Sequence, residues 1–536
     1  MADMHETASE IIARRLAETG CRHAFGLPGG EVLALLSALN RAGVEFTLCK
    51  HENAAGFMAE GSWQATGAPG ILLTTIGPGL ANGLNSVANA YQEQVPLVVL
   101  SGCIGPGEGA GFTHQVVDQT ALLRPITKAQ FQIADGAAQL MIDKAISIAL
   151  ADPPGPVHVD LPHDLAGKLM PSSSHPLVHP EPAAWADGPS FDRAVSMLSA
   201  SERPLVIAGV GAVHHKAGAS VLRFAEQFGA PFITTYKAKG IVSETHGHCL
   251  GGHGLSPLSD KTILPLIAQS DCVVLAGYDP IEMRSGWVEP FAPEKAVDLA
   301  HADCQHGMHA SAVRHVGNVA AALERLCDAV EAKATSWPGG EPESARQVLS
   351  EQFASKPHWG PHQVFATLRE CVSDETVVTI DSGAHRILLS QMWRAEQPAT
   401  LLQSTAFCTM GVSLPLAMGY ARAGDGQRVF AVVGDAGLEM VAGELATLRD
   451  LNLPVTIVVL VDESLALIDL KQRRSQLPES GVGFGGTDFV AVAEAYGGRG
   501  YWIDNKEDLA ARLTEEAPGF SLLACRVEKM EYDGAF

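Results

Sequence analysis

The sequence predicts an α/β protein built from three doubly wound parallel-sheet domains in series. Three observations carry that expectation. Short runs of β-branched and small apolar residues, among them GILLTTIG, PLVVLSG, RVFAVVGDAG and VTIVVLVDES, alternate with stretches of helical periodicity, as in sheets buried on both faces. Two proline-rich polar segments, 171–189 and 331–355, interrupt that pattern as linkers and leave blocks 1–170, 189–330 and 356–536. With 536 residues, 46% of them hydrophobic, the chain is too long for one core and apolar enough to be globular throughout.

In chain order, MADMHETASEIIARRLAETG reads as an amphipathic helix without the uninterrupted apolar core of a signal peptide. No later stretch is apolar enough to span a bilayer, so a cytoplasmic protein is expected. EFTLCKHE then leads into helical NAAGFMAEGSWQATG, strand GILLTTIG, helical GLANGLNSVANAYQEQ and strand PLVVLSG. The second block runs RPLVIAGVGA, helical KAGASVLRFAEQFG and DCVVLAGYDP; the third has strands TVVTIDSG, RVFAVVGDAG and VTIVVLVDES. The net charge of −23 excludes a phosphate-backbone partner, since no Lys/Arg cluster is present to neutralise one. Anionic ligands must therefore be met by local dipoles or a metal. Ten cysteines without CxxC or Cys/His metal spacing fit reduced, packed thiols and no zinc site.

The run VFAVVGDAGLEM (429–440) ends an apolar strand in Gly434, Asp435, Ala436 and Gly437. One reading is a strand-to-helix turn with Asp435 as N-cap. The other comes from the next strand, VTIVVLV, which ends in Asp462, Glu463 and Ser464. Adjacent parallel strands would bring Asp435 and Asp462 to one sheet edge, a like-charge pair that is costly without a cation between them. Mg²⁺ suits such a pair and keeps phosphate oxygens as further ligands, while Gly434 and Gly437 let backbone N–H groups approach a diphosphate.

The segment Gly434–Gly437 with Asp462 and Ser464 resembles the thiamin-diphosphate motif that begins GDG and ends NN or NDN. Ala436 replaces its second glycine, and Val461 and Glu463 stand where asparagines are expected. The resemblance implies Mg²⁺ ligation by Asp435, Asp462 and the Ser464 carbonyl. LCKHENAAGFMAEG (48–61) is similar to the RHE-x-x-A segment of the same enzymes, whose glutamate, here Glu52, shares a proton with the aminopyrimidine ring so that the neighbouring amino group can act as a base. Taken alone, His51 and Glu52 could be a helix-start pair. FGLPGGEV, TTIGPGLANG, HQVVDQTALLRPITK, DSGAH and FCTMGVSLP also fall into register over nearly the whole chain. They imply cofactor contacts at Pro28, Gly29, Gly79, Asn82, Gly383, Ala384, His385, Cys408, Met410 and Leu465, besides Gly434–Gly437. Met410 would separate the two cofactor rings, although an isolated Met is more often core.

Within this family the acetolactate synthase-like group, carboligases and 2-oxoacid decarboxylases, is the nearest resemblance. It implies pyrimidine-binding, central and diphosphate-binding domains, a homodimer or homotetramer with sites between subunits, and C–C bond cleavage or formation on a small-molecule 2-oxoacid. Glu31, His114 and Lys471 are polar where the biosynthetic enzymes are apolar; Glu31, Leu467 and Lys471 are the expected substrate residues, and His114 and Gln115 join Glu52 as the expected catalytic residues. Each has a plainer reading: Glu31 as a cap, His114 as packing, Lys471 in solvent. AGYDPIEMRSGW (276–287) is more similar to the flavin-free catabolic enzymes, which argues against FAD. Two alternatives stay open: a non-ligating decarboxylase or lyase on a polar substrate, and a silent family member kept for binding or assembly.

Overall fold

The computed structural model describes residues 4–105, 111, 113–177, 182–303, 307–424, 427–515 and 518–536. The first domain carries β1 (Met4–Thr7), β2 (His23–Gly26), β3 (Glu45–Leu48), β4 (Gly70–Thr74), β5 (Leu97–Cys103), β6 (Ala129–Gln132), β7 (Val157–Pro162) and β8 (Leu169–Ser172). The central domain carries β9 (Pro204–Ala208), β10 (Phe232–Thr234), β11 (Cys249–Gly252), β12 (Cys272–Ala276), β13 (Ala296–Ala300) and β14 (Val313–Val316). The third carries β15 (Val377–Ile380), β16 (Leu401–Gln403), β17 (Val429–Gly434), β18 (Val455–Val461), β19 (Arg499–Ile503) and β20 (Ser521–Arg526).

Each domain holds one six-stranded parallel sheet: β3-β2-β4-β5-β7-β6, then β11-β10-β9-β12-β13-β14, then β16-β15-β17-β18-β20-β19. The expected α/β class is therefore observed. The first and third sheets share one winding, and the central sheet has the other doubly wound order. In all three the strand order reverses beside the first strand, and ligands bind such sheets in the crevice outside the strand C-termini at that reversal. The β2/β4, β9/β12 and β15/β17 edges are those crevices.

Two elements differ from the sequence expectation. The N-terminal helix spans only Ala8–Glu18, because Thr7 and Glu10 form a capping box that starts it there, and β1 before it pairs antiparallel with β8. Within 331–355 a helix, Glu341–Gln352, buries Ala345 and Leu349 in a central-domain cluster with Leu266 and Trp337. Of the other expected linker, 171–189, residues 178–181 lie outside the described set.

The first and third domains share a core in which Phe57 and Met58 pack with Leu414 and Met418. It forms where helix Glu52–Thr66 crosses helix Ser413–Ala423 through glycines. A Cβ at Gly419 would lie 1.9 Å from the Met58 carbonyl oxygen, and one at Gly61 2.2 Å from that of Leu416. Only hydrogens at both positions let the backbones approach this closely, and the crossing fixes where Glu52 begins its helix.

Candidate functional site

At the β15/β17 crevice lies a cavity of about 210 Å³. Gly383, Ala384 and His385 line it after β15, and Gly434 to Gly437 after β17. Cys408 and Met410 enter from the loop after β16, and Asp462, Ser464, Leu465 and Leu467 from the segment after β18. β17 and β18 are adjacent and parallel, with Gly434 opposite Leu460, so the two acidic endings meet. Asp435 is not the N-cap: Gly434 takes that position and Asp435 is the first residue of helix Asp435–Glu439. Its Oδ2 accepts from the backbone N–H of Asp462 (3.0 Å) and Glu463 (2.7 Å), and its Oδ1 from that of Ala436 (2.8 Å). Asp462 Oδ1 accepts from the Ser464 N–H at 3.1 Å.

Burial pushes both carboxyls up. Asp462 rises to about 8, first through desolvation and then through the charge on Asp435. A divalent cation would offset that repulsion, and Asp435 Oδ1 and both Asp462 oxygens keep lone pairs to offer it. Among the described residues no third His, Cys, Asp or Glu joins the pair, so a metal here would draw its remaining ligands from backbone carbonyls, water or a ligand. Burial, with Arg386 beside it, lowers His385 to about 4, so its imidazole is neutral. Four buried polar atoms of the lining residues have no hydrogen-bond partner among the described residues: Ser382 Oγ, His385 Nε2, Arg386 Nε and Ser464 Oγ. Native interiors rarely leave such groups unpaired. Two hydroxyls and a guanidinium N–H around an acidic pair suit an acceptor-rich ligand that arrives with its own cation.

A second cluster occupies the β2/β4 crevice of the first domain. Glu52 is only 6% exposed, and its Oε2 accepts from Asn82 Nδ2 at 3.0 Å. His51 is the N-cap, accepting from the Asn53 N–H, so the helix-start reading holds for His51, whereas the Glu52 carboxylate turns to Asn82 instead. A Cβ at Gly79 would sit 3.2 Å from Glu52 Oε1, which explains a glycine there. Glu31 Oε2 accepts from Thr75 Oγ1 at 2.7 Å, and Gly29 packs on that pair beside exposed Pro28. Gln115, at φ +60°, rests its carbonyl on Gly77, and His114 next to it is exposed.

Among the described residues none of the first domain lines the third-domain cavity, so within one chain Glu52 and Asp435 belong to separate clusters. Lys471 is exposed on helix Ala466–Arg474, outside the lining, as its solvent reading has it. Sequence reasoning missed Thr75, Asp381 and Arg386. Asp381 accepts from the Gly411 (2.9 Å) and Val412 (3.0 Å) N–H groups, and Arg386 donates to the Ser404 carbonyl at 2.6 Å, so both brace the Met410 loop. Asp381 and Thr75 stand inside the quoted DSGAH and TTIGPG segments; a buried arginine cannot be recognised from spacing.

Comparison with known proteins follows the same division. Residues 6–122 match the thiamine pyrophosphate enzyme N-terminal TPP binding domain, 191–326 its central domain and 381–525 its C-terminal TPP binding domain. The acetolactate synthase of Bacillus subtilis (strain 168) is 29% identical over 95% of this chain and 90% of its own length. The acetolactate synthase isozyme 3 large subunit of Escherichia coli (strain K12) is 28% identical over 95% and 92%, and the catabolic acetolactate synthase of Raoultella terrigena 25% over 94% and 92%. No helix among the described residues is long and apolar enough to cross a membrane. With both ligand-type crevices falling inside the matched TPP binding domains, the chain belongs to the thiamine pyrophosphate enzymes, as an acetolactate synthase-like enzyme dependent on thiamin diphosphate.

Proposed function

We propose that the protein is a carboligase that holds thiamin diphosphate with Mg²⁺ and acts on a 2-oxoacid. The observation that carries the ligand assignment is the set of four unpartnered buried polar atoms around the Asp435/Asp462 pair. Asp435, Asp462 and the Ser464 carbonyl would hold Mg²⁺, while Gly383 to His385 and Gly434 to Gly437 offer backbone N–H groups to the diphosphate. Cys408, with its backbone carbonyl, Met410 and Leu465 would contact the rings. When bound, the cofactor would supply a carbon nucleophile for a carbonyl and a cationic thiazolium ring able to take up the electron pair freed on decarboxylation.

Glu52, with Asn82, would hold the proton shared with the aminopyrimidine. Because it lies outside the Asp435 cavity within one chain, a complete site needs Glu52 from a second copy, making the enzyme a dimer or larger. Exposed Val116 and Val117 beside Gln115, and exposed Met440 and Ile468 near the cavity, support such a contact. Glu31, His114, Gln115, Leu467 and Lys471 would then meet the substrate. At the central β9/β12 crevice a Cβ on Gly211 would lie 2.2 Å from His301 Nδ1, and Gln94 of the first domain bonds His301 at 2.9 Å. That filled crevice supports a central domain without FAD. The test is a 2-oxoacid screen with thiamin diphosphate and Mg²⁺, with products identified by mass spectrometry. A 2-hydroxyketone and carbon dioxide are expected; failure to bind the cofactor, or to turn over any 2-oxoacid, overturns the reading.

A further inference from the structure

We infer that Glu93 of the first domain and Lys237 of the central domain are positioning residues for the Ser404–Met410 loop of the third domain, an inference that rests on the thiamin diphosphate reading above. Helix Pro78–Gln92 starts beside Glu52 and is followed directly by Glu93. Residues 85, 89 and 93, four apart, share one helix face, and that face runs along the loop. Asn85 Oδ1 accepts from Thr409 Oγ1 at 3.3 Å, and the Ser404 hydroxyl lies 2.7 Å from Asn89 Oδ1. Glu93 then meets four consecutive residues: the same Ser404 hydroxyl at 3.2 Å and the Ala406 and Phe407 N–H groups at 2.8 and 3.3 Å on Oε1, and the Thr405 hydroxyl at 3.3 Å on Oε2.

A carboxylate as buried as Glu93 is costly unless its charge is matched. Lys237 supplies the match through a direct ion pair. The consequence for the cofactor site lies in the next residues. Cys408 follows at φ +58°, a left-handed conformation that a non-glycine residue keeps only where its surroundings impose it. Glu93 holds the chain immediately before Cys408, and Asp381 holds Gly411 and Val412 immediately after Met410. The Cys408 carbonyl and the Met410 side chain are thus suspended between two buried carboxylates, one neutralised from the central domain. A loop held this way is preorganised before cofactor arrives, which reduces the ordering cost of binding.

The test compares wild type with Glu93→Gln, Lys237→Met and Lys237→Arg, titrating thiamin diphosphate with Mg²⁺ calorimetrically and following amide exchange of residues 404–412 in the cofactor-free protein. Glu93→Gln and Lys237→Met are each expected to weaken cofactor binding by ~10-fold or more and to speed exchange at Ala406 and Phe407, with Lys237→Arg within ~3-fold of wild type, as for loss and retention of a charge-assisted contact. Folded variants with wild-type affinity and exchange overturn the inference. So does faster exchange without weaker binding, since that is a purely structural role. If wild type itself fails to bind the cofactor, the functional reading fails and takes this inference with it. Should Glu93→Gln not fold, Thr405→Val removes one loop donor with its packing kept; weaker binding supports the inference and unchanged binding overturns it.

Discussion

The backbone N–H of Asp462 donates to the Asp435 carboxylate at 3.0 Å across a sequence separation of 27 residues. This contact joins the ends of β17 and β18 and sets two carboxyls in one cavity, where burial first and the Asp435 charge second raise Asp462. Asp435→Ala removes the acceptor for Asp462 and Glu463 and leaves a diphosphate facing Asp462 with no shared cation. The expected outcome is loss of Mg²⁺-dependent cofactor retention, read by calorimetry with and without a chelator. A variant that binds as wild type does would remove the metal from this pair.

Glu52→Gln keeps the size of the side chain and an acceptor for Asn82 while removing the acid. Turnover should fall by at least ~10²-fold, the usual contribution of a positioned proton donor, with cofactor affinity nearly intact. Steady-state rates and a binding titration on the same preparation separate the two effects. Unchanged turnover excludes Glu52 from proton transfer.

Gly419→Ala places a methyl 1.9 Å from the Met58 carbonyl oxygen, a backbone atom that cannot swing aside. The two crossing helices must part, at a cost of at least ~1–3 kcal/mol for overpacking. The melting temperature should drop, and Glu52 activity should drop further than stability because Glu52 opens one of those helices. An unshifted melting curve would contradict the close crossing.

How much of this was legible in the sequence depends on the range of the signal. The strands announced themselves through local composition, and Asp435 and Asp462 through the apolar runs they terminate. The N-terminal helix was overextended because the apolar pattern does not show that Thr7 and Glu10 cap it. The helix Glu341–Gln352 was hidden because proline and glycine around it dominate a local reading, although its apolar stripe finds a partner in the central domain. Arg386 and Glu93 are tertiary: each makes its bonds to residues of another segment, so no spacing predicts them. Lys471 shows the converse, a residue assigned from register that the single chain leaves in solvent.

Glu60 gives a pH signature independent of catalysis. It is buried, accepts from Asn89 Nδ2 at 2.9 Å and faces Lys237, Glu93 and His214 around one small cavity. Desolvation raises it from 4.5 to about 7, with Glu93 adding to the rise and Lys237 opposing it. An acid whose folded value is raised is protonated in the folded chain while already ionised in the unfolded one. Stability from this group is therefore full below 4.5 and is lost as pH rises toward 7, at about 1.4 kcal/mol per unit. Glu60→Gln cannot ionise and should gain on wild type across that window and nowhere else. Parallel denaturant titrations from acid to neutral pH check it; a constant difference between the two proteins would mean Glu60 does not titrate there.

The outcome of the reaction can be tested at His114. His114 and Gln115 sit on an exposed segment beside Val116 and Val117, which a second copy would cover. Once covered, a His114 ring N–H would stand where it could donate a proton at the reacting carbon. A proton there releases an aldehyde, whereas a second carbonyl gives a 2-hydroxyketone. His114→Phe keeps a ring and removes the N–H donor, so it should shift product toward the 2-hydroxyketone. Product ratios for both proteins, with the 2-oxoacid that the screen identifies, decide the point: an unaltered ratio reduces His114 to packing.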